Sequence, residues 1–280
     1  MMSITRIAAL AAALVLPAVA CNQAVAQTAP SLTNGKIEFS YFPPKTVKYQ
    51  AIMERLKAAH LLEQMSQFLS PLRLPHKFYL VTTECGKINA FYSSDMRAII
   101  LCYEFVELVE RLAPKADAPA GEFSRDEVLV GAIAGVMLHE GGHAVFDMLD
   151  VPVFGREEDA ADAMANFLAL QFNKDVARTV VKGFAYLWRS VGNPKDWSEY
   201  ADEHGTSAQR FYNALCTAYG GDPATFKEFV DKGWLPKERA ENCAAEYQQT
   251  RYAFIKTILP FVDPEMLKLV QAKDWLKPAK

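Results

Sequence analysis

The sequence predicts an α+β fold in which helices dominate, with a small antiparallel β-hairpin or sheet beside one long apolar helix. Three observations predict it. An apolar run from Val128 to Leu138, closed by two histidines one turn apart, has the length and composition of a buried helix. The stretches Phe78 to Thr83, Lys87 to Tyr92 and Ala98 to Leu101 are rich in β-branched and aromatic residues and are separated by turn residues. Two helical stretches follow from Asp159, and beyond Val191 the remainder is helical, broken at Gly220-Gly221-Asp222-Pro223, at Gly233 to Pro236 and at Pro260.

The chain opens with Arg6, an uncharged run from Ile7 to Leu16, Pro17 and small residues. This reads as a secretory signal peptide, too short in its apolar part to span a bilayer. Cleavage after Ala26 (residues 1–26) fits the small-x-small rule. Cleavage after Ala20 fits it too and would leave Cys21 first, open to a lipid anchor. Ala18 stands where lipoprotein signals carry a larger aliphatic residue, so the reading is an exported protein, periplasmic or secreted. Residues 27–280 carry no Gly/Ser/Pro linker and read as a single domain. No other stretch reads as an integral membrane span. The formal charge is −3, and no basic patch points to a nucleic acid partner.

The chain has five cysteines. Setting Cys21 aside leaves four without the close spacing of a zinc cluster, which suits disulfides in an exported protein. A turn centred between Ser93 and Ser94 would put Cys85 directly opposite Cys102, at bridging distance. Cys216 and Cys243 would then join two helical stretches.

Thr46 to Leu69 reads as one amphipathic helix ending before Pro71, and Tyr103 to Leu112 as a short helix. A loop rich in Pro and Ala (Ala113 to Phe123) leads to Ser124, which with Glu127 forms a capping box for the apolar helix. After Val151-Pro152-Val153-Phe154-Gly155 turns the chain back, Asp159 to Phe172 forms a second helix. Its Ala160, Ala161, Ala163 and Ala165 are small enough to approach the first closely. Another helix covers Asp175 to Val191. Trp188 and Trp197 read as core or groove wall.

The chemistry lies in His139-Glu140-Gly141-Gly142-His143. Four residues apart on a helix, His139 and His143 share a face, where two imidazoles can hold one zinc ion. Glu140, one residue out of phase, can reach a metal-activated water as general base. Without a metal, this ionisable cluster on an apolar helix would carry an uncompensated desolvation cost. A third ligand is available fifteen residues later, within Arg156-Glu157-Glu158-Asp159-Ala160-Ala161-Asp162.

His139-Glu140-x-x-His143 followed by Glu158-Asp159-Ala160-Ala161-Asp162 resembles the gluzincin pattern H-E-x-x-H…E-x-x-A-D of membrane-associated and periplasmic zinc peptidases. The wider stretch 139–165 is similar to a bacterial family of metallopeptidase-like proteins of unknown function. A weaker likeness continues through Asp202-Glu203-His204 and Gln209 to Asn213. The resemblance implies a zincin-like metallopeptidase domain, with Glu158 as third zinc ligand and Asp162 behind it, accepting the free N–H of a ligating histidine. Spacing alone leaves Glu157 and Asp159 as rival ligands. Peptidases of the zincin type bind substrate as an added strand on a sheet edge, and Asn89-Ala90-Phe91-Tyr92 is the candidate edge.

The expected function is hydrolysis of a peptide or protein substrate through a zinc-activated water, with Glu140 as base. His204, just before a helix starting near Thr206 or Ser207, is the first choice for the oxyanion donor, followed by Arg210 and Tyr212. The alternative is a catalytically silent zinc-binding periplasmic protein with a binding or structural role. A metal-free structural protein stands third.

Overall fold

A computed structural model describes residues 34–115, 123–192 and 195–275. The stretch expected to be a signal peptide, Cys21 and the middle of the Pro/Ala loop lie outside the described residues. In chain order the elements are β1 (Ile37–Tyr41), α1 (Val47–Ala58), α2 (Leu61–Leu69), β2 (Phe78–Thr83), β3 (Ala90–Ser93), β4 (Ala98–Cys102), α3 (Tyr103–Leu112), α4 (Arg125–Met148), α5 (Glu157–Ala169) and α6 (Lys174–Val191). A 3₁₀ turn at Trp197–Ala201 precedes α7 (Ser207–Gly221), α8 (Glu228–Asp231), α9 (Lys237–Ala240), α10 (Cys243–Thr257) and α11 (Pro264–Ala272). Helices dominate, as the sequence predicts.

The sheet is mixed instead of antiparallel. Its order is β1-β2-β4-β3, with β1 and β4 parallel to β2, and β3 antiparallel to β4. All five residues of β4 are buried, which suits a central strand covered on both faces. The half-exposed β3 goes to the edge. Strand β1 was not anticipated, although Ile37-Glu38-Phe39-Ser40-Tyr41 carries the period-two pattern of a strand.

The Cys85–Cys102 bridge forms, but not for the reason the hairpin suggested. Ser93 pairs with Ala98 and Ala90 with Leu101, so the turn is centred between Asp95 and Met96. Cys102 therefore faces Asn89, whose carbonyl accepts from the Cys102 amide. It is the parallel pairing of Thr83 with Cys102 that brings Cys85 alongside, just past the end of β2. Cys216–Cys243 joins α7 to the start of α10. Each bridge stabilises by about 2–4 kcal/mol, and both suit an oxidising compartment.

The single helix expected over Thr46 to Leu69 breaks at His60, which takes a left-handed conformation (φ 51°). The apolar stripes explain the break. α1 buries Tyr49, Ile52, Met53 and Leu56, whereas α2 buries Leu62, Met65, Phe68 and Leu69. The second stripe is out of phase with the first, so a continuous helix would turn part of it away from the core.

α4 is the axis of the fold. The Ser124–Glu127 capping box starts it, and Glu127 also pairs with Nζ of the buried Lys182 on α6 at 2.8 Å. The two helices cross where Gly131 meets Gly183, since a Cβ on either would overlap the backbone of the other helix. By length and apolarity alone α4 would suffice to cross a membrane, contrary to the sequence reading, but here its apolar length is buried in the core. α5 lies against its C-terminal half, with Ala161 against Gly142.

Candidate metal centre

The two histidines leave α4 on the face covered by α5, a short distance from the edge strand β3. His139 and Glu140 are 4% and 7% exposed, so the motif lies inside the protein at the bottom of a cleft. That cleft has a volume of about 720 Å³ and is walled by Ala90 and Tyr92 of β3, Phe146 of α4, Val151 and Val153, and Glu203 and His204.

Three ligand atoms converge at its floor. The Nε2 atoms of His139 and His143 lie 3.3 Å apart, and Oε2 of Glu158 is 3.0 Å from the first and 3.3 Å from the second. Nitrogen and oxygen ligands about 2.0–2.1 Å from a tetrahedral ion stand roughly 3.3–3.4 Å from one another. The triangle therefore has the size of one face of such a site. Oε2 of Glu158 is buried with no aligned hydrogen bond despite these neighbours. Lone pairs facing a common point account for this arrangement better than N–H donors do.

The groups behind the ligands favour the same protonation pattern. Nδ1 of His143 lies 2.7 Å from Oε1 of Glu157, and Nδ1 of His139 lies 2.8 Å from Oδ1 of Asp162, close but off-line for a hydrogen bond. A carboxylate at each Nδ1 holds the proton there and leaves Nε2 free to coordinate. Asp162 is held in turn by the buried Arg210, whose Nε and Nη2 donate at 2.6 and 2.7 Å. The Arg210 guanidinium stacks on Trp188, 3.4 Å from the ring centroid.

Geometry separates the acids that spacing left open. Glu158 meets both Nε2 atoms, Glu157 lies on the opposite side of the His143 ring, and Asp159 turns outward to Arg156. It also separates the three donors considered at sequence level. His204 faces the cleft, with Nε2 2.9 Å from Oε2 of Glu158 and Nδ1 2.8 Å from Oδ1 of Asp202. Arg210 is committed to Asp162, and Tyr212 lines a different hollow, with Phe211 and Trp234. Trp188 is groove wall, but Trp197 stands almost fully exposed.

The stretch from residue 41 to residue 257 matches the model of a family described as "Putative metallopeptidase". The chain belongs to this family. Nothing among the curated proteins or the solved structures matches it. The match contains every residue of the centre, from Tyr92 on the sheet edge to Arg210 on α7. It brings a metal into the reading without specifying zinc.

Charge in this candidate centre is tightly coupled. Burial raises the Glu140 carboxyl above its ordinary range, opposed by the neighbouring His139 and His143. Burial works against a charged His143, but Glu158 and Glu157 more than offset it and push its pKa up to about 9 in the metal-free protein. Glu158, although partly desolvated, is held well below the usual carboxylate range by His139, His143 and His204.

Two contacts were not foreseen. Asp202 stands two residues before His204, an Asx-type spacing that was visible in the sequence; it accepts from both the ring and the backbone amide of His204. The Tyr92 amide donates to Oε2 of Glu140 at 2.9 Å, a contact between distant segments with no local signal.

Proposed function

We propose that the chain is a zinc-dependent peptidase, exported to the periplasm or secreted, with a helix and edge strand arranged in the zincin manner. The observation that carries this reading is the convergence of His139 Nε2, His143 Nε2 and Glu158 Oε2 beside a buried, raised-pKa Glu140. Zinc held by these three residues supplies Lewis-acid polarisation of the scissile carbonyl and acidifies water in the cleft.

The chain's own groups do the rest. An extended peptide lies along β3, where Asn89 accepts from the Cys102 amide and, by the antiparallel alternation, Ala90 and Tyr92 turn their backbone groups toward the cleft. Glu140 takes a proton from the attacking water and returns it to the leaving amine; its raised pKa suits both halves of that transfer. His204 donates from Nε2 to the carbonyl oxygen as it gains charge. Glu158, then Asp202, raise its pKa against the effect of burial, so it keeps the proton it needs. Asp162 and Glu157 hold the ligating rings in place.

The test is zinc content of the purified protein together with hydrolysis of a broad peptide library, by the parent and by Glu140→Gln. Close to one zinc per chain and cleavage that vanishes in the variant are expected. Zinc without cleavage in the parent would support the silent binding protein instead, and absence of zinc would overturn the metal reading.

A further inference from the structure

His204 is prepared in the same way as the two motif histidines. His139 has Asp162 at Nδ1, His143 has Glu157, and His204 has Asp202, at 2.8, 2.7 and 2.8 Å. In all three rings Nε2 then faces Oε2 of Glu158. A carboxylate at Nδ1 with Nε2 turned toward a shared carboxylate is the arrangement of a metal-ligating imidazole, and it serves His204 as a donor equally well.

The atoms nevertheless do not form one site. Among the described residues, the potential ligands around the motif fall into two groups, each with all its atoms within 4.8 Å of one another. One is His139, His143 and Glu158; the other is Glu158, Glu203 and His204. Two ligands of one zinc ion lie at most about 4.2 Å apart, twice a bond of roughly 2.1 Å. Since His204 does not join the motif pair even at the wider limit, it is not a fourth ligand of the first ion. Glu158 belongs to both groups, and Oε2 faces imidazoles of both.

We propose that Glu158, Glu203 and His204 form a second, weaker site for a divalent first-row metal, with zinc as its natural occupant, and that filling it inhibits the enzyme. One imidazole with two carboxylates is a borderline-hard set suited to zinc, cobalt or manganese. The set is weaker than the first because Glu158 is shared, Glu203 is exposed and only one imidazole contributes. Inhibition follows from the atom used. Nε2 of His204 cannot hold a metal and donate to a substrate oxygen together, and the ion would occupy the cleft wall where Glu203 and His204 face the substrate. The inhibitory part rests on the peptidase reading, whereas the site itself does not.

Equilibrium dialysis of the full chain against buffered free Zn²⁺, with metal counted by elemental analysis, tests the site without any assay of turnover. The parent should bind one zinc at low free metal and approach two as free metal rises. Glu203→Gln and His204→Ala should each keep the first and lose the second. His60→Ala and His76→Ala, which remove the two histidines outside the centre, should change neither. A parent that stays at one zinc, or a second zinc that survives in both Glu203→Gln and His204→Ala, overturns the proposal. If the parent proves to be a peptidase, excess zinc should inhibit it, and Glu203→Gln should resist that inhibition when its rate in excess zinc is compared with its own rate at low metal. Equal inhibition of parent and variant overturns the inhibitory role. A parent without zinc at low free metal would count against the peptidase reading first, and is distinguishable from a stoichiometry fixed at one.

Discussion

The backbone N–H of Tyr92 donates to Oε2 of Glu140 at 2.9 Å, joining the sheet edge to the carboxylate that follows His139 on α4. The contact fixes where Glu140 points without neutralising it. In Glu140→Gln the side-chain oxygen can still accept from Tyr92, so the fold and close to one zinc per chain should be kept. The amide cannot accept a proton, and turnover should fall by at least about 10²–10⁴-fold. Metal analysis beside peptidase assays checks both halves, and loss of zinc in this variant would make Glu140 a ligand.

Glu158→Ala should weaken zinc binding and lower the melting temperature of the loaded protein, because bound metal stabilises the folded state by mass action. Glu157→Ala should be milder, costing about 10–100-fold in affinity, as it removes only the partner of His143 Nδ1. Competition with a chelator measures the order. Tighter zinc in Glu158→Ala than in Glu157→Ala would reverse the assignment.

Asp162 carries more than the positioning role its spacing suggests, since it also neutralises the buried Arg210. Arg210→Ala should destabilise the metal-free protein by about 3–5 kcal/mol, the cost of leaving one partner of a buried pair uncompensated. Replacing both by apolar residues of similar size should recover part of the loss. Denaturant melts of the single and double variants decide this, and strict additivity of the two losses would show that the pair is not coupled.

His204→Ala should retain the first zinc and lower kcat by about 10²–10³-fold, the size expected for one oxyanion donor. Asp202→Asn should act in the same direction through the orientation of the ring, with KM less affected than kcat. An unchanged kcat in His204→Ala would remove it from the reaction.

In the metal-free protein the pKa of His143 is raised from 6.5 to about 9. A raised folded-state pKa gives stability that is fully present below about pH 6.5 and lost as pH rises through about 9. Metal-free protein should therefore become less stable across that window. Zinc binding should run the other way and strengthen with pH, because the imidazoles must lose their protons to coordinate. Melting curves of both forms from pH 6 to 9 test the crossing, and parallel curves would argue against the His143–Glu158 coupling.

The sequence by itself determined the parts that depend on local spacing. Ser124 and Glu127 mark the start of α4, the four-residue step puts His139 and His143 on one face, and the small residues of α5 permit its approach through Ala161. These are set by helical periodicity and side-chain size, which any short stretch reveals. Tertiary structure alone decided which acid meets the histidines, because Glu157, Glu158 and Asp159 are adjacent and only the return angle of the chain after Val151 selects among them. It also decided the order of the sheet. The central place of β4 follows from burial on both faces, so the hairpin arithmetic that paired Cys85 with Cys102 reached the right bridge through the wrong register. The Tyr92–Glu140 and Asp162–Arg210 contacts span 48 residues each. Hydrogen bonds of that reach depend on how whole helices and strands pack, and no local pattern encodes them.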